Sequence, residues 1–185
     1  MAPKVKFIMR TVGDADLSEY LQAIPNLMIC KDRKHEAKDT YRMSLEMAGD
    51  DACVNMEDDI ILCDHFYDRA MNEISKRPND VIQFFSMRGD DLKIGSRYIP
   101  GYQYLMNQCF YLPMGMARAI LEYMPYWLKE NEGIVGGTDS LTRDFFKLAK
   151  IKYWNVVPNL VDHKQVKSRI DPRRSTKRQS FTFQK

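Results

Sequence analysis

Apolar segments with the composition of β-strands alternate with segments of helical periodicity along most of this chain of 185 residues. Short runs of β-branched and aromatic residues predict strands, and apolar residues spaced three or four apart predict helices. Since helices that connect successive strands cover both faces of a sheet, the alternation predicts one α/β domain with a mainly parallel sheet flanked by helices. The predicted strands are 5–12, 27–30, 52–56, 81–85, 108–112 and 151–157, and the predicted helices are 16–24, 40–48 (capped by Asp39 or Thr40), 66–76, 115–128 and 139–149.

The length suits a single hydrophobic core, and 44% hydrophobic with 29% charged residues is typical of a globular chain rather than a disordered one. No apolar run approaches the ~20 residues that cross a bilayer, and the N-terminus lacks the apolar stretch of a signal peptide. The four cysteines are widely separated, without a C-x-x-C pair, as expected for reduced thiols. These features together predict a cytoplasmic protein.

Charge is unevenly distributed along the chain. Eight Lys or Arg and one Asp give residues 164–185 a net charge of +7, and because the whole chain carries +3, residues 1–163 carry −4. We therefore expect a domain over 1–163 and a basic tail over 164–185. The tail suits an anionic partner such as nucleic acid, a lid in which Lys164, Lys167 or Arg169 closes over bound phosphates, or a solvated extension.

Three consecutive acids, Glu57, Asp58 and Asp59, follow a predicted strand and precede the apolar residues 60–62. Carboxylates placed together beside a core repel one another and resist desolvation unless a cation or hydrogen-bond donors neutralise them. Oxygen ligands of this type suit Mg²⁺ or Mn²⁺, and the carboxyl end of a strand is where open α/β sheets bind ligands. A solvated acidic turn is the alternative.

This acidic string resembles the DXD motif with which GT-A glycosyltransferases hold a sugar nucleotide, in its E-D-D form. The resemblance covers about residues 5–170 and implies a single GT-A-like domain, which is Rossmann-like and of the nucleotide-diphospho-sugar transferase kind. Other features of the family occur in its order: Arg10 and Thr11 at the end of the first strand, Arg42 on the helix before the acidic strand, Gly-Gly-Thr-Asp at 136–139, and Pro-Asn-Leu-Val-Asp-His at 158–163.

The resemblance implies metal-dependent transfer of a sugar from a nucleotide diphosphate, with a UDP-sugar as donor. The acceptor hydroxyl would belong to a modified nucleic-acid base or a glycan. Mn²⁺ or Mg²⁺ would stabilise the leaving diphosphate, with Asp59 and His163 as its protein ligands. Glu57 or Asp58 would bind the donor ribose or a metal-bound water.

Further roles follow for residues outside the acidic string. Arg10, Thr11 and Arg42 would contact the donor phosphates or base, and surface ion pairing is the alternative for both arginines. Asp139 would be the general base of an inverting transferase, or would position the acceptor in a retaining one. The same position also suits a helix N-cap, with Arg143 one turn on as an ion-pair partner.

Two other functions stay open at this stage. A metal-dependent phosphoesterase or nuclease would gather Asp14, Asp58, Asp59 and Asp139 around two ions, although the sequence contains only one dense acidic cluster. The basic tail alone would suit a non-catalytic nucleotide- or nucleic-acid-binding module.

Overall fold

The structure is a computed structural model that describes residues 4–32, 34, 36–133, 137–166 and 178–185. Strands and helices alternate over the first part of the chain, as the sequence predicts, whereas the third strand is followed directly by a further strand and the last two helices are consecutive. The strands are β1 (Val5–Val12), β2 (Met28–Asp32), β3 (Ala52–Glu57), β4 (Ile60–Leu62), β5 (Val81–Gln83), β6 (Arg97–Pro100), β7 (Cys109–Leu112), β8 (Lys152–Asn155) and β9 (Val161–His163). The helices are α1 (Ser18–Ala23), α2 (Ala37–Ala48), α3 (Phe66–Lys76), α4 (Asp91–Ile94), α5 (Met116–Glu130) and α6 (Thr138–Leu148).

The central sheet has seven strands in the order β2-β1-β3-β7-β5-β8-β6. β1 runs parallel to β2 and β3, and β5 runs parallel to β8. β7 lies antiparallel between β3 and β5, and β6 lies antiparallel on the outer side of β8. Five of the seven strands therefore share one direction, which confirms the predicted mainly parallel α/β sheet. β4 and β9 form a separate antiparallel ribbon.

Helices cover both faces of the sheet, because alternate residues of the central strands enter two different cores. Phe7 and Met9 of β1 join a cluster with residues of α1 and α3, whereas Ile8 joins a cluster with residues of α2, α5 and α6. Strands buried on both faces are apolar throughout. This is why the central strands stand out as continuous apolar runs in the sequence.

Element boundaries show where local signals are weak. β1 and α3 have their predicted bounds, but α2 begins at Ala37, so the predicted cap at Asp39 or Thr40 is wrong. Asp39 instead binds Arg42 one turn along the helix surface. The elements β4, α4, β6 and β9 were not predicted. No helix in the part of the chain that the structure describes is both long and apolar enough to cross a membrane.

The last described segment, 178–185, packs against the domain. The Ser180 N–H donates to Asp162 Oδ1 at 2.7 Å, and the Asn159 N–H donates to Thr182 Oγ1 at 3.1 Å. Phe183 packs against the core cluster that contains α1 and α3. Packed structure thus continues past the predicted domain boundary at residue 163.

Candidate functional site

The carboxyl ends of β1 and β3 lie side by side, with Arg10 directly opposite Glu57 in the parallel register. Asp58 and Asp59 form the turn between β3 and β4. The antiparallel ribbon then pairs Ile60 with His163, which brings the end of β9 back to this turn. Residues from both ends of the chain therefore meet at one edge of the sheet.

Arg10 is almost completely buried and forms an ion pair with Glu57. Its Nη1 lies 3.3 Å from Glu57 Oε1, its Nη2 donates to the carbonyl oxygen of Asn107 at 2.5 Å, and its guanidinium stacks over the Tyr41 ring. Burial raises the pKa of Glu57 to about 8. Arg10 opposes this rise, while the carboxylates of Asp59 and Asp139 add to it. Loss of solvation is thus the main reason that Glu57 retains its proton, and the neighbouring carboxylates add to this effect.

Asp59 and His163 are in direct contact. His163 Nε2 lies 3.0 Å from Asp59 Oδ2, and the imidazole is fully buried. The contact has ion-pair distance without hydrogen-bond geometry: among the described residues, neither ring nitrogen nor Asp59 Oδ1 has a hydrogen-bond partner. Burial alone would raise the pKa of Asp59, but the proximity of His163, Arg178 and Arg10 outweighs burial and holds this pKa below its usual value.

This pair fits the protein side of a site for Mn²⁺ or Mg²⁺. It offers a carboxylate oxygen from the turn that precedes β4 and an imidazole nitrogen from β9, and the Lys164 N–H donates to Asp59 O at 2.7 Å beside the β4–β9 pairing. No set of three His, Cys, Asp or Glu side chains able to hold a metal occurs among the described residues. Mg²⁺ and related ions commonly take one or two protein ligands and complete their shell with water and substrate phosphates.

Asp58 points toward the end of β1. Thr11 Oγ1 donates to Asp58 Oδ2 at 2.7 Å, and the Val12 N–H donates to the same oxygen at 3.4 Å. The Tyr20 hydroxyl lies 2.8 Å from Asp58 O, so α1 also supports this turn. Thr11 and Asp58, both predicted site residues, are thus brought together.

Asp139 lies in the first turn of α6 and is half-buried. It is linked to Arg10 through the main chain of Asn107. Its Oδ1 accepts the main-chain N–H of Asn107 at 2.7 Å, and the carbonyl oxygen of Asn107 accepts from Arg10. The predicted partner Arg143 instead contacts Asp144 at 3.1 Å. Asn107 therefore connects the candidate base to the Arg10–Glu57 pair.

Other predicted residues lie elsewhere. Arg42 sits on the surface of α2 between Asp39 and Glu46, which is the ion pairing that the sequence left open for it. Asp14, required by the two-metal alternative, is 96% exposed and contacts Lys31. Lys167 and Gly136 lie outside the described residues.

Two contributors to the site were missed by the sequence analysis. Asn107 carries no motif, and its role depends on main-chain groups that every residue possesses. Arg178 Nη2 lies 3.9 Å from Asp59 Oδ2, yet in the sequence Arg178 is one of eight basic residues in the tail with nothing to distinguish it. Only the packing of 178–185 identifies it.

No protein-family model and no curated protein matches this chain. Among solved structures, the crystal structure of A197 from STIV is similar with a TM-score of 0.49 and 13% sequence identity, over 85% of each chain. Function is therefore argued from the site itself.

Proposed function

We propose that this protein is a metal-dependent glycosyltransferase of the GT-A kind, which moves a sugar from a nucleotide diphosphate to an acceptor hydroxyl. The observation that carries the proposal is the contact between Asp59 and His163 beside Glu57, at the carboxyl end of the sheet. Two candidate ligands that are distant in the sequence meet there, in the order that the resemblance to the family implies.

The divalent ion would supply Lewis-acid stabilisation of the charge that develops on the leaving diphosphate. Asp59 and His163 would hold the ion. Glu57 or Asp58 would bind the donor ribose or a metal-bound water, and Arg10 limits the charge repulsion that Glu57 adds. A UDP-sugar is the proposed donor.

Asp139 is the proposed base. Its carboxylate is held by the Asn107 N–H and remains half-buried, so one oxygen is oriented while the group stays near the surface. A carboxylate in this state can accept a proton from an acceptor hydroxyl. The acceptor would be a hydroxyl on a modified nucleic-acid base or a glycan.

Isothermal titration of UDP with and without Mn²⁺ tests the proposal. Wild-type protein should bind UDP more tightly with Mn²⁺ than without it. In the presence of Mn²⁺, D59N and H163A should each bind UDP at least about tenfold more weakly than the wild type. Asp50→Asn is the matched control, since Asp50 is 60% exposed and pairs with Arg118. UDP affinity independent of Mn²⁺ in the wild type would refute the proposal. Mn²⁺-dependent cleavage of DNA without a sugar nucleotide would instead support a nuclease.

A further inference from the structure

Arg178 brings a largely buried positive charge to the Asp59–His163 pair. Its side chain is 11% exposed, and its Nη2 lies 3.9 Å from Asp59 Oδ2. Its Nε is buried and donates no hydrogen bond to the described residues. A guanidinium has five N–H donors, and burying a donor without a partner is unfavourable. Arg178 therefore has a buried donor without a partner among the described residues, and one of its terminal nitrogens lies beside the candidate metal ligand Asp59.

The two cations of the site differ in how they are bound. Arg10 is held by Glu57 and by the carbonyl oxygen of Asn107, so its main contacts are within the protein. Within the part of the chain that the structure describes, Arg178 has only the long contact of its Nη2 with Asp59 Oδ2. Nε of both arginines is buried without a hydrogen-bond partner among the described residues. Both terminal nitrogens of Arg10 have protein partners, so Arg178 is the cation whose terminal donors are available to a bound anion.

The segment that carries Arg178 is firmly attached beside His163. Ser180 donates through its main-chain N–H to Asp162 and through its hydroxyl to Asn159 Oδ1 at 2.6 Å, and both residues precede His163 on the same stretch. The Phe183 ring packs against the core, and the Phe183 N–H donates to Ser180 Oγ. The guanidinium is thus positioned by the packed chain end.

We infer that Arg178 is a phosphate-binding residue, whose guanidinium donates to phosphate oxygens of a diphosphate held at the Asp59–His163 pair. The inference rests on the proposed function, since it requires an anion next to the metal ligands. A planar guanidinium can bind two phosphate oxygens at once, whereas a lysine ammonium acts as a point charge. The anchored chain end would make Arg178 part of the donor site.

Titration of Mn²⁺ alone, and of UDP and inorganic pyrophosphate in the presence of Mn²⁺, tests this role in the full-length chain. Arg178→Ala should weaken both diphosphates by about tenfold or more, and Arg178→Lys should recover only part of the loss. Affinity for Mn²⁺ alone should not fall in Arg178→Ala, because the variant removes a positive charge near Asp59. Arg118→Ala is the control, since Arg118 is 58% exposed and contacts Asp50.

Ser180→Ala provides a second variant that keeps the guanidinium but loosens its anchor, and it should weaken UDP binding in the same direction. Melting temperatures of all variants check that they fold. Wild-type Mn²⁺-dependent UDP binding that Arg178→Ala leaves unchanged would overturn the inference and leave the proposed function intact. Equal losses in Arg178→Ala and Arg118→Ala would also overturn it, because they would indicate a general charge effect. Absence of Mn²⁺-dependent UDP binding in the wild type would overturn both proposals.

Discussion

At the scale of single residues, the site is dominated by the compensation of buried charge. Glu57 is half-buried, and its pKa is elevated because partial loss of solvation disfavours the charged form and two other carboxylates are near. Arg10 is the nearest cation, and it also holds Asn107 in place. Removing one partner of a buried ion pair leaves an uncompensated charge and is strongly destabilising. The stability of the metal-free protein should therefore depend on Arg10.

Arg10→Met is expected to lower the free energy of unfolding by on the order of 3 kcal/mol at pH 9, and by less at pH 6. The pKa of Glu57 in the folded protein, about 8, lies above its ordinary value of 4.5, so the folded protein retains a proton that the unfolded chain releases. Stability contributed by this group is therefore lost as the pH rises through 8. At pH 6 Glu57 stays protonated and needs its partner less.

Urea denaturation in EDTA at both pH values measures this difference. Arg42→Met is the control, since exposed helix pairs contribute about 0.3–0.5 kcal/mol. An equal loss for Arg10→Met at pH 6 and pH 9 would contradict the assignment of the effect to Glu57.

At the scale of elements, the packing of α6 against the segment after β6 positions Asp139. A 3₁₀ turn over Gly101–Gln103 follows β6, and the Gly101 N–H donates to Ile151 O at 2.8 Å. A Cβ placed on Gly101 would lie 2.6 Å from both Ile151 O and Phe146 Cβ. Close approach of backbones, rather than an unusual φ, thus requires glycine here.

Gly101→Ala is expected to destabilise the protein by about 1–3 kcal/mol, because the new methyl group overlaps the backbone at the end of α6. Gly89→Ala is the matched control: a Cβ there meets nothing within 4 Å, so its effect should stay within about 0.5 kcal/mol. Thermal unfolding of both variants provides the measurement. Similar melting temperatures for the two would show that α6 shifts freely and does not fix Asp139.

At the scale of the whole molecule, the end of the chain is part of the folded domain. Ser180 and Thr182 are buried, and together with Phe183 they cover residues next to β9. The segment bends at residues 181–182, and the Phe181 side chain is 59% exposed. Phe181 is therefore exposed, whereas Phe183 is half-buried against the core.

Phe183→Ala should cost about 1–2 kcal/mol of unfolding free energy, since it removes apolar surface that packs on the core. Phe181→Ala should change stability by no more than about 0.5 kcal/mol. Chemical denaturation of the two variants makes the comparison directly. If they prove equally stable, the chain end does not contribute to the domain as described.

Local sequence patterns predicted most of the strands and helices and one half of the candidate site. Continuous apolar runs marked β1 and β3, helical spacing marked α3, and the acids after β3 identified Glu57, Asp58 and Asp59. These features depend on neighbours in the chain, so periodicity and residue type are sufficient to predict them.

The direction of the two antiparallel strands and the contacts between distant segments became known from the folded structure alone. The antiparallel placement of β7 and β6 depends on pairing with strands far along the chain, which no local pattern encodes. The resemblance suggested a role for His163, but its 3.0 Å contact with Asp59 exists because β4 and β9 pair. Arg178 reaches the same carboxylate because Ser180 and Phe183 pack beside β9. Such contacts are set by the packing of the whole chain and not by the residues next to them.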